Sequence, residues 1–303
     1  MKKMTALFIV GSLLSVSVSH ACLALGRKEY PFPQEEVAVI IWDEKNKTEH
    51  FIRQAKFDGK TKDFAFIVPV PSTPELEEAP AELFTWLHSA AYQGGRNGKM
   101  ASRGIKGGVA GGVVEVVKTQ EVAGMDASVI RSSDPKALEN WLNENGYTIP
   151  KGASSWIAHY VEKKWEFVAF KIKSSSQDGA ATVASPLVRI SFKTPRIVYP
   201  YRETKDRRRV PKRELSLYVL APFSVVGSYE SIKPWKTSWD FTKQIEMKYT
   251  KTTNTKVFSD LYSYLNALMK RPGEIDHWNL AHFRNNEEIR PYAEDLFFDP
   301  KMN

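Results

Sequence analysis

Only one cysteine, Cys22, stands in the 303 residues. No intramolecular disulfide can form, so the chain must be held by a core. Beyond the first two dozen residues no apolar run reaches the roughly 20 residues that a helix needs to cross a bilayer. Charge is not strongly one-sided either, since 43 Lys and Arg against 35 Asp and Glu leave a formal +8. Catalytic signatures are scarce, with no Gly-x-Ser-x-Gly elbow and no Ser-Asp-Asn or Lys-Thr-Gly. Aromatic residues are plentiful at 12%, eight of them tryptophan, which excludes a disordered chain.

The beginning of the chain is its clearest address. Lys2 and Lys3 precede the apolar run Met4 to Val18, and Ser19-His20-Ala21 supplies small side chains at the third and first positions before a cut at Cys22. This pattern predicts a secretory signal over residues 1–21. A lipoprotein signal is the second reading, because its cut leaves a lipid-bearing cysteine first. Against it, Ser19 stands where a branched apolar residue is preferred, and Val18 lies one place too far back. Either reading predicts a periplasmic or extracellular protein, free or lipid-anchored through Cys22, with no transmembrane helix in the mature chain. Loss of Lys2 and Lys3 lowers the formal charge to about +6. Outside the membrane such an excess suits anionic envelope polymers or lipid headgroups rather than nucleic acid.

Glu36 to Trp42 is an apolar run, Asp43 to Lys47 a polar turn, and Thr48 to Phe57 a second extended run. Asp58-Gly59 signals another turn before Asp63 to Val70, so the pattern predicts a three-strand antiparallel meander. Pro69, Pro71 and Pro74 end it. Pro80 then opens an amphipathic helix to about Tyr92, with Glu75, Glu77, Glu78 and Glu82 complementing its dipole. Eight of the 17 glycines crowd positions 94–112 among Arg96, Lys99, Arg103 and Lys106, which predicts a flexible basic loop.

Strands are expected at Val113 to Val117 and Ala127 to Ile130, joined near Gly124. Asp134-Pro135 marks a helix start with Leu138, Trp141 and Leu142 as its buried stripe, and Gly146 closes it. Next come a helix from Ser154 to Glu162 and strands at Trp165 to Ile172, Val188 to Phe192 and Leu215 to Leu220. A last helix runs from Val257 to Met269. Strands grouped apart from helices predict an α+β fold of antiparallel sheets with helices packed against them. The expected organisation is a signal (1–21), an α+β domain (22–222) and a C-terminal extension with one main helix (223–303).

Several segments taken together resemble the bacterial family named domain of unknown function 2330. They are Val39-Ile40-Ile41-Trp42-Asp43, Glu49-His50-Phe51-Ile52 and Asp63 to Ser72, then Ala137-Leu138 with Trp141-Leu142 and Gly146-Tyr147. Trp165 to Ala169, Pro186-Leu187 and Pro195 to Pro200 complete the series. The resemblance spans roughly Cys22 to Pro222. It implies an exported domain without an assigned activity, so it transfers no catalytic residue. Members often have more than one cysteine at the mature start, whereas here Cys22 is alone.

Candidate chemistry is sparse. Ser133-Asp134-Pro135-Lys136 fits a Ser-x-x-Lys spelling, yet a helix cap accounts for it. His277 and His282, with Asp276, Glu287 and Asp295 near in sequence, suit a metal poorly, because five residues on a helix separate side chains by about 140 degrees. The remaining histidines of the mature chain are His50, His88 and His159. Gly107 to Gly112 precedes a predicted strand rather than the helix a phosphate loop needs. Trp235 and Trp239 read as core or inter-lobe packing rather than sugar stacking. One cluster carries a functional expectation: Arg202, Lys205, Arg207, Arg208, Arg209, Lys212 and Arg213, suited to bidentate contact with phosphate or carboxylate. The sequence therefore predicts a non-enzymatic envelope-binding or organising protein without cofactor or metal. The alternative is an envelope hydrolase, which a pocket holding His50 or His159 beside carboxylates would favour.

Overall fold

The computed structural model describes residues 23–26, 33–58, 64–92, 114–147, 149, 152–172, 182–202, 214–231, 233–235, 243–248, 256–269, 277–285 and 294–302. Strands β2 (Pro33–Asp43) and β3 (Thr48–Asp58) form the expected antiparallel hairpin. Its turn is held by the Asp43 carboxylate, which accepts from the Asn46 amide at 3.0 Å and from the Asn46 side chain at 2.7 Å. Along β2, Ala38, Ile40 and Trp42 enter one core while Val39 and Ile41 enter another. Both faces are buried, which is why the run is continuously apolar instead of alternating.

The hairpin centres an eight-stranded sheet. Its other strands are β5 (Glu75–Glu78), β9 (Thr182–Ala184), β10 (Val188–Lys193), β12 (Glu214–Ala221), β14 (Lys243–Lys248) and β15 (His277–Asn285). The order is β14-β15-β12-β2-β3-β10-β5, with β9 also pairing β3. Only the β12–β2 pair is parallel. A second sheet has the order β1 (Leu23–Gly26), β4 (Phe64–Val70), β8 (Glu166–Ile172), β7 (Met125–Arg131) and β6 (Glu115–Val122). A third places β16 (Leu296–Pro300) between β11 (Ile197–Tyr199) and β13 (Val225–Tyr229).

Alternation decides the layers. Phe66, Val68, Val129, Val168 and Phe170 of the five-stranded sheet share a core with Ala38, Ile40, Phe51 and Leu217 of the large sheet and Tyr199 and Phe298 of the small one. Behind the large sheet, helices α1 (Leu83–Tyr92) and α4 (Lys256–Met269) bury Leu87, Leu261 and Leu265 against Ile41, Ile52 and Leu220. Behind the five-stranded sheet, α2 (Pro135–Glu144) and α3 (Ala153–Glu162) bury Leu138, Leu142, Trp156 and Ile157 against Ala65, Ile67 and Phe167. The fold is α+β, with helices outside and two packed sheets inside.

Local signals act as expected in α2. Asp134 has extended backbone and its carboxylate accepts the Lys136 amide at 2.8 Å, with Pro135 at the first helical position. Gly146 takes φ +82 beyond the C-terminus, and the Tyr147 amide returns to the Leu142 carbonyl at 2.9 Å.

Two expectations are corrected. The meander does not include Asp63 to Val70, because β4 pairs β1 and β8 in the other sheet. A strand buried on both faces carries no mark of which sheet it joins. Glu75, Glu77 and Glu78 do not flank a helix start but form β5, in register with β10, and Arg189 pairs with Glu77. Beyond Pro222 the chain supplies β13, β14, β15 and β16 as well as α4, and β15 lies between β12 and β14.

Candidate functional site

Among the described residues, three clusters bring together side chains capable of chemistry. In the first, β15 places the buried His282 ring on the α1 face of the large sheet, where its stacked neighbour is Tyr218 at 4.1 Å. Nδ1 of His282 lies 2.7 Å from the hydroxyl of Tyr92, the last residue of α1, and Nε2 lies 2.7 Å from Oγ of Ser216 on β12. One ring nitrogen donates and the other accepts. Burial, followed by the charge of Arg284 and by His88, lowers the His282 pKa to about 4, so the ring is neutral at neutral pH. Burial likewise pushes the Tyr218 hydroxyl up to about 12. At the rim, Arg284 pairs with Glu214, the first residue of β12.

The second cluster lies where α3 meets the small sheet. Asp295, just before β16, is fully buried. Its Oδ1 accepts from the Tyr160 hydroxyl at 2.6 Å and from the Arg202 amide at 3.1 Å. Its Oδ2 is 3.9 Å from Nε2 of His159 and 3.7 Å from Nζ of Lys163, and Lys163 reaches Glu230 at 2.6 Å. Burial raises the Asp295 pKa, against the hydrogen bonds from Tyr160 and Arg202. Burial, then Arg202 and Lys163, lowers His159 to about 4. His159 and Tyr160 belong to the last turn of α3 and Lys163 caps it, four and three residues on, whereas Glu230 and Asp295 arrive from neighbouring strand ends.

The third is a polar cleft of about 520 Å³ on the β3–β10–β5 face, walled by Leu268 and Met269 at the end of α4. Across these strands His50, Ser191 and Glu75 occupy one row. Nδ1 of His50 lies 2.8 Å from Oγ of Ser191, and Arg189 and Lys193 flank the serine on the same face.

Of the sequence-predicted anionic-ligand cluster, Arg202 is described: its amide binds Asp295 and its carbonyl accepts the Trp156 indole N–H at 3.0 Å. Lys205, Arg207, Arg208, Arg209, Lys212 and Arg213 lie outside the described residues, as do Cys22 and the glycine-rich span 93–113. His277 and His282 stand on a strand rather than a helix, five residues apart and so on opposite faces. Asp295 belongs with His159 rather than with them. Asp276 and Glu287 lie outside the described residues. Lys136 pairs with Glu139, and Ser133 lies before the helix cap. Trp235 packs against Tyr201, Phe283 and Phe298 as core, and Trp239 lies outside the described residues. The Tyr92–His282–Ser216 and His159–Asp295–Glu230 groupings have no local sequence mark. The members of each come from three separate parts of the chain.

No helix among the described residues is long and apolar enough to cross a membrane. No curated protein matches the chain. Among solved structures it is similar to baculovirus P35, with a TM-score of 0.43 and 11% identity over 91% of this chain and 93% of that one. It is also similar to a mutated baculovirus P35 after caspase cleavage, with a TM-score of 0.35 and 10% identity over 87% of this chain and 90% of that one. The model of domain of unknown function 2330, described as an uncharacterized protein conserved in bacteria, matches residues 18–245, from before Cys22 into β14, and the chain belongs to that family.

Proposed function

We propose that this is an exported envelope protein that binds an anionic polymer or lipid headgroup through its two basic segments. One observation carries the reading: Tyr92 and Ser216 hydrogen-bond opposite nitrogens of His282. Tyr92 is the residue from which the chain enters the glycine-rich basic span, and Glu214 follows Arg213 directly. The described ends of the two segments, Tyr92 and Glu214, thereby lie close to His282 and Arg284. Clustered guanidinium groups suit phosphate or carboxylate, and their reach over a polymer falls with salt.

The test is retention on lipoteichoic acid, lipopolysaccharide and vesicles containing anionic phospholipid. Arg207, Arg208 and Arg209 changed together to alanine should abolish retention at low salt. Equal retention of the two proteins refutes the reading. The address itself is tested by intact mass from the native host, where cleavage before Cys22 is expected and a diacylglyceryl adduct distinguishes an anchored protein from a free one.

The cleft favours a second reading, hydrolysis of an envelope ester. Ser191 Oγ would attack the carbonyl carbon while His50 takes its proton and returns it to the leaving alcohol, with Arg189 and Lys193 beside the developing oxyanion, and water, deprotonated by His50, would then release the acid from the acyl-serine. A fluorophosphonate probe should then add to Ser191 in the protein and not in Ser191→Ala. Absence of an adduct removes this reading.

A further inference from the structure

The α3 cluster contains an unusual juxtaposition. Oδ2 of Asp295 and Nε2 of His159 are both buried, face one another at 3.9 Å, and have no hydrogen-bond partner. The gap is too long for a hydrogen bond, so each buried atom faces the other unsatisfied. Such a pair calls for something positive or donating between them. Glu230 brings a third donor atom, all three lying within 4.8 Å of one another. Lys163 approaches from the side, its ammonium 2.6 Å from Glu230 and 3.7 Å from Asp295, and also 5.4 Å from the Trp165 ring.

We infer that His159, Asp295 and Glu230 form a binding site for a borderline divalent cation of the zinc or cobalt class, in which the Lys163 ammonium occupies the cation's place in its absence. Imidazole with two carboxylates is a donor set that zinc takes at about 2.0–2.2 Å, and two such bonds span the His159–Asp295 gap at an open angle. Asp295 is supported from behind, since Tyr160 and the Arg202 amide hold its other oxygen. That arrangement orients the free oxygen at the gap, as a carboxylate ligand requires. Glu230 is partly exposed on a turn and can close the remaining distance, whereas Asp295 is fully buried and held to α3 through the Tyr160 hydroxyl. The ring face of Trp165 gives the displaced Lys163 a second seat.

The site sits between α3 and the turn after β13, apart from the His282 hub and the His50 cleft, so its test is independent of either functional reading. Tag-free protein, stripped with chelator, is titrated with Co²⁺ while visible absorption and calorimetry are followed. One ion per chain with ligand-field bands of low coordination number is expected. His159→Gln and Glu230→Gln should each weaken binding about tenfold or more. Lys163→Met should strengthen it, because the competing ammonium is gone. Circular dichroism of each variant separates lost binding from lost folding, and Glu230→Gln, at an exposed turn, keeps the test alive if His159→Gln fails to fold. No cobalt bound by the protein or by Lys163→Met, which would leave a bridging water as the occupant, overturns the proposal. So does affinity unchanged by His159→Gln and Glu230→Gln, or not raised by Lys163→Met.

Discussion

Arg53 donates through Nε to Glu36 at 2.8 Å, and both side chains are almost wholly buried between the sheets. The Tyr199 hydroxyl donates to the same carboxylate oxygen at 2.5 Å, and the guanidinium also lies 5.6 Å from the Phe66 ring. The pair thus connects the large sheet to both of the others.

Removing one partner leaves a buried charge, which costs about 3–5 kcal/mol. Arg53→Met and Glu36→Leu are each expected to lower stability by that order in urea denaturation. The double variant should recover much of the loss, because two apolar side chains need no ionic partner. Additive losses would show that the two residues act independently.

His282 makes acid stability predictable in sign. Its folded pKa, about 4, lies below the unfolded 6.5, so the unfolded chain binds the extra proton first. Its neutral form favours folding fully above about pH 6.5, and that contribution declines down to about pH 4. The shift is worth on the order of 3 kcal/mol. In His282→Asn the slope of stability against pH between 4 and 6.5 should be shallower than in the parent, whatever the absolute stability of the variant.

The α2 cap is a local test. Asp134→Ala removes the acceptor for the Lys136 amide and should cost about 1 kcal/mol, seen as a lower Tm with unchanged circular dichroism. Asp134→Asn or Asp134→Ser should retain most of that energy.

Gly227 is required by contact rather than by backbone angle. A Cβ there would stand 3.0 Å from ring carbons of both Phe298 and Trp235. Gly227→Ala is expected to destabilise by about 1–3 kcal/mol as the aromatic cluster shifts. Altered tryptophan emission should accompany the loss.

Much of the local structure is legible in the residues. Asp43 to Lys47 marks the β2–β3 turn, Asp134-Pro135 and Gly146 bracket α2, and Leu261 and Leu265 define the buried side of α4. Sheet membership is less so. Ala65, Phe66, Ile67 and Val68 declare a strand buried on both faces, but nothing in them selects β8 over β3 as neighbour. In β15 the alternation of His277, Trp278, Asn279 and Leu280 is plain, yet the buried His282 interrupts it, and only Tyr92 and Ser216 make that burial affordable. The same holds for Asp295: its partners Tyr160 and His159 precede it by more than 130 residues, and no spacing rule reaches so far.

The place of β16 sets an order of events for a chain emerging from a ribosome. It is the middle strand of the small sheet, but it is synthesised after both flanking strands, and its Leu296 and Phe298 are buried in the core shared by all three sheets. Until it arrives, β11 and β13 lack the strand that pairs with both, and Trp235 lacks the Phe298 ring against which it packs. Closure of that core is therefore a late, long-range step, slow in the way that distant strand pairings are slow. A nascent chain of this design keeps that core open until β16 is delivered.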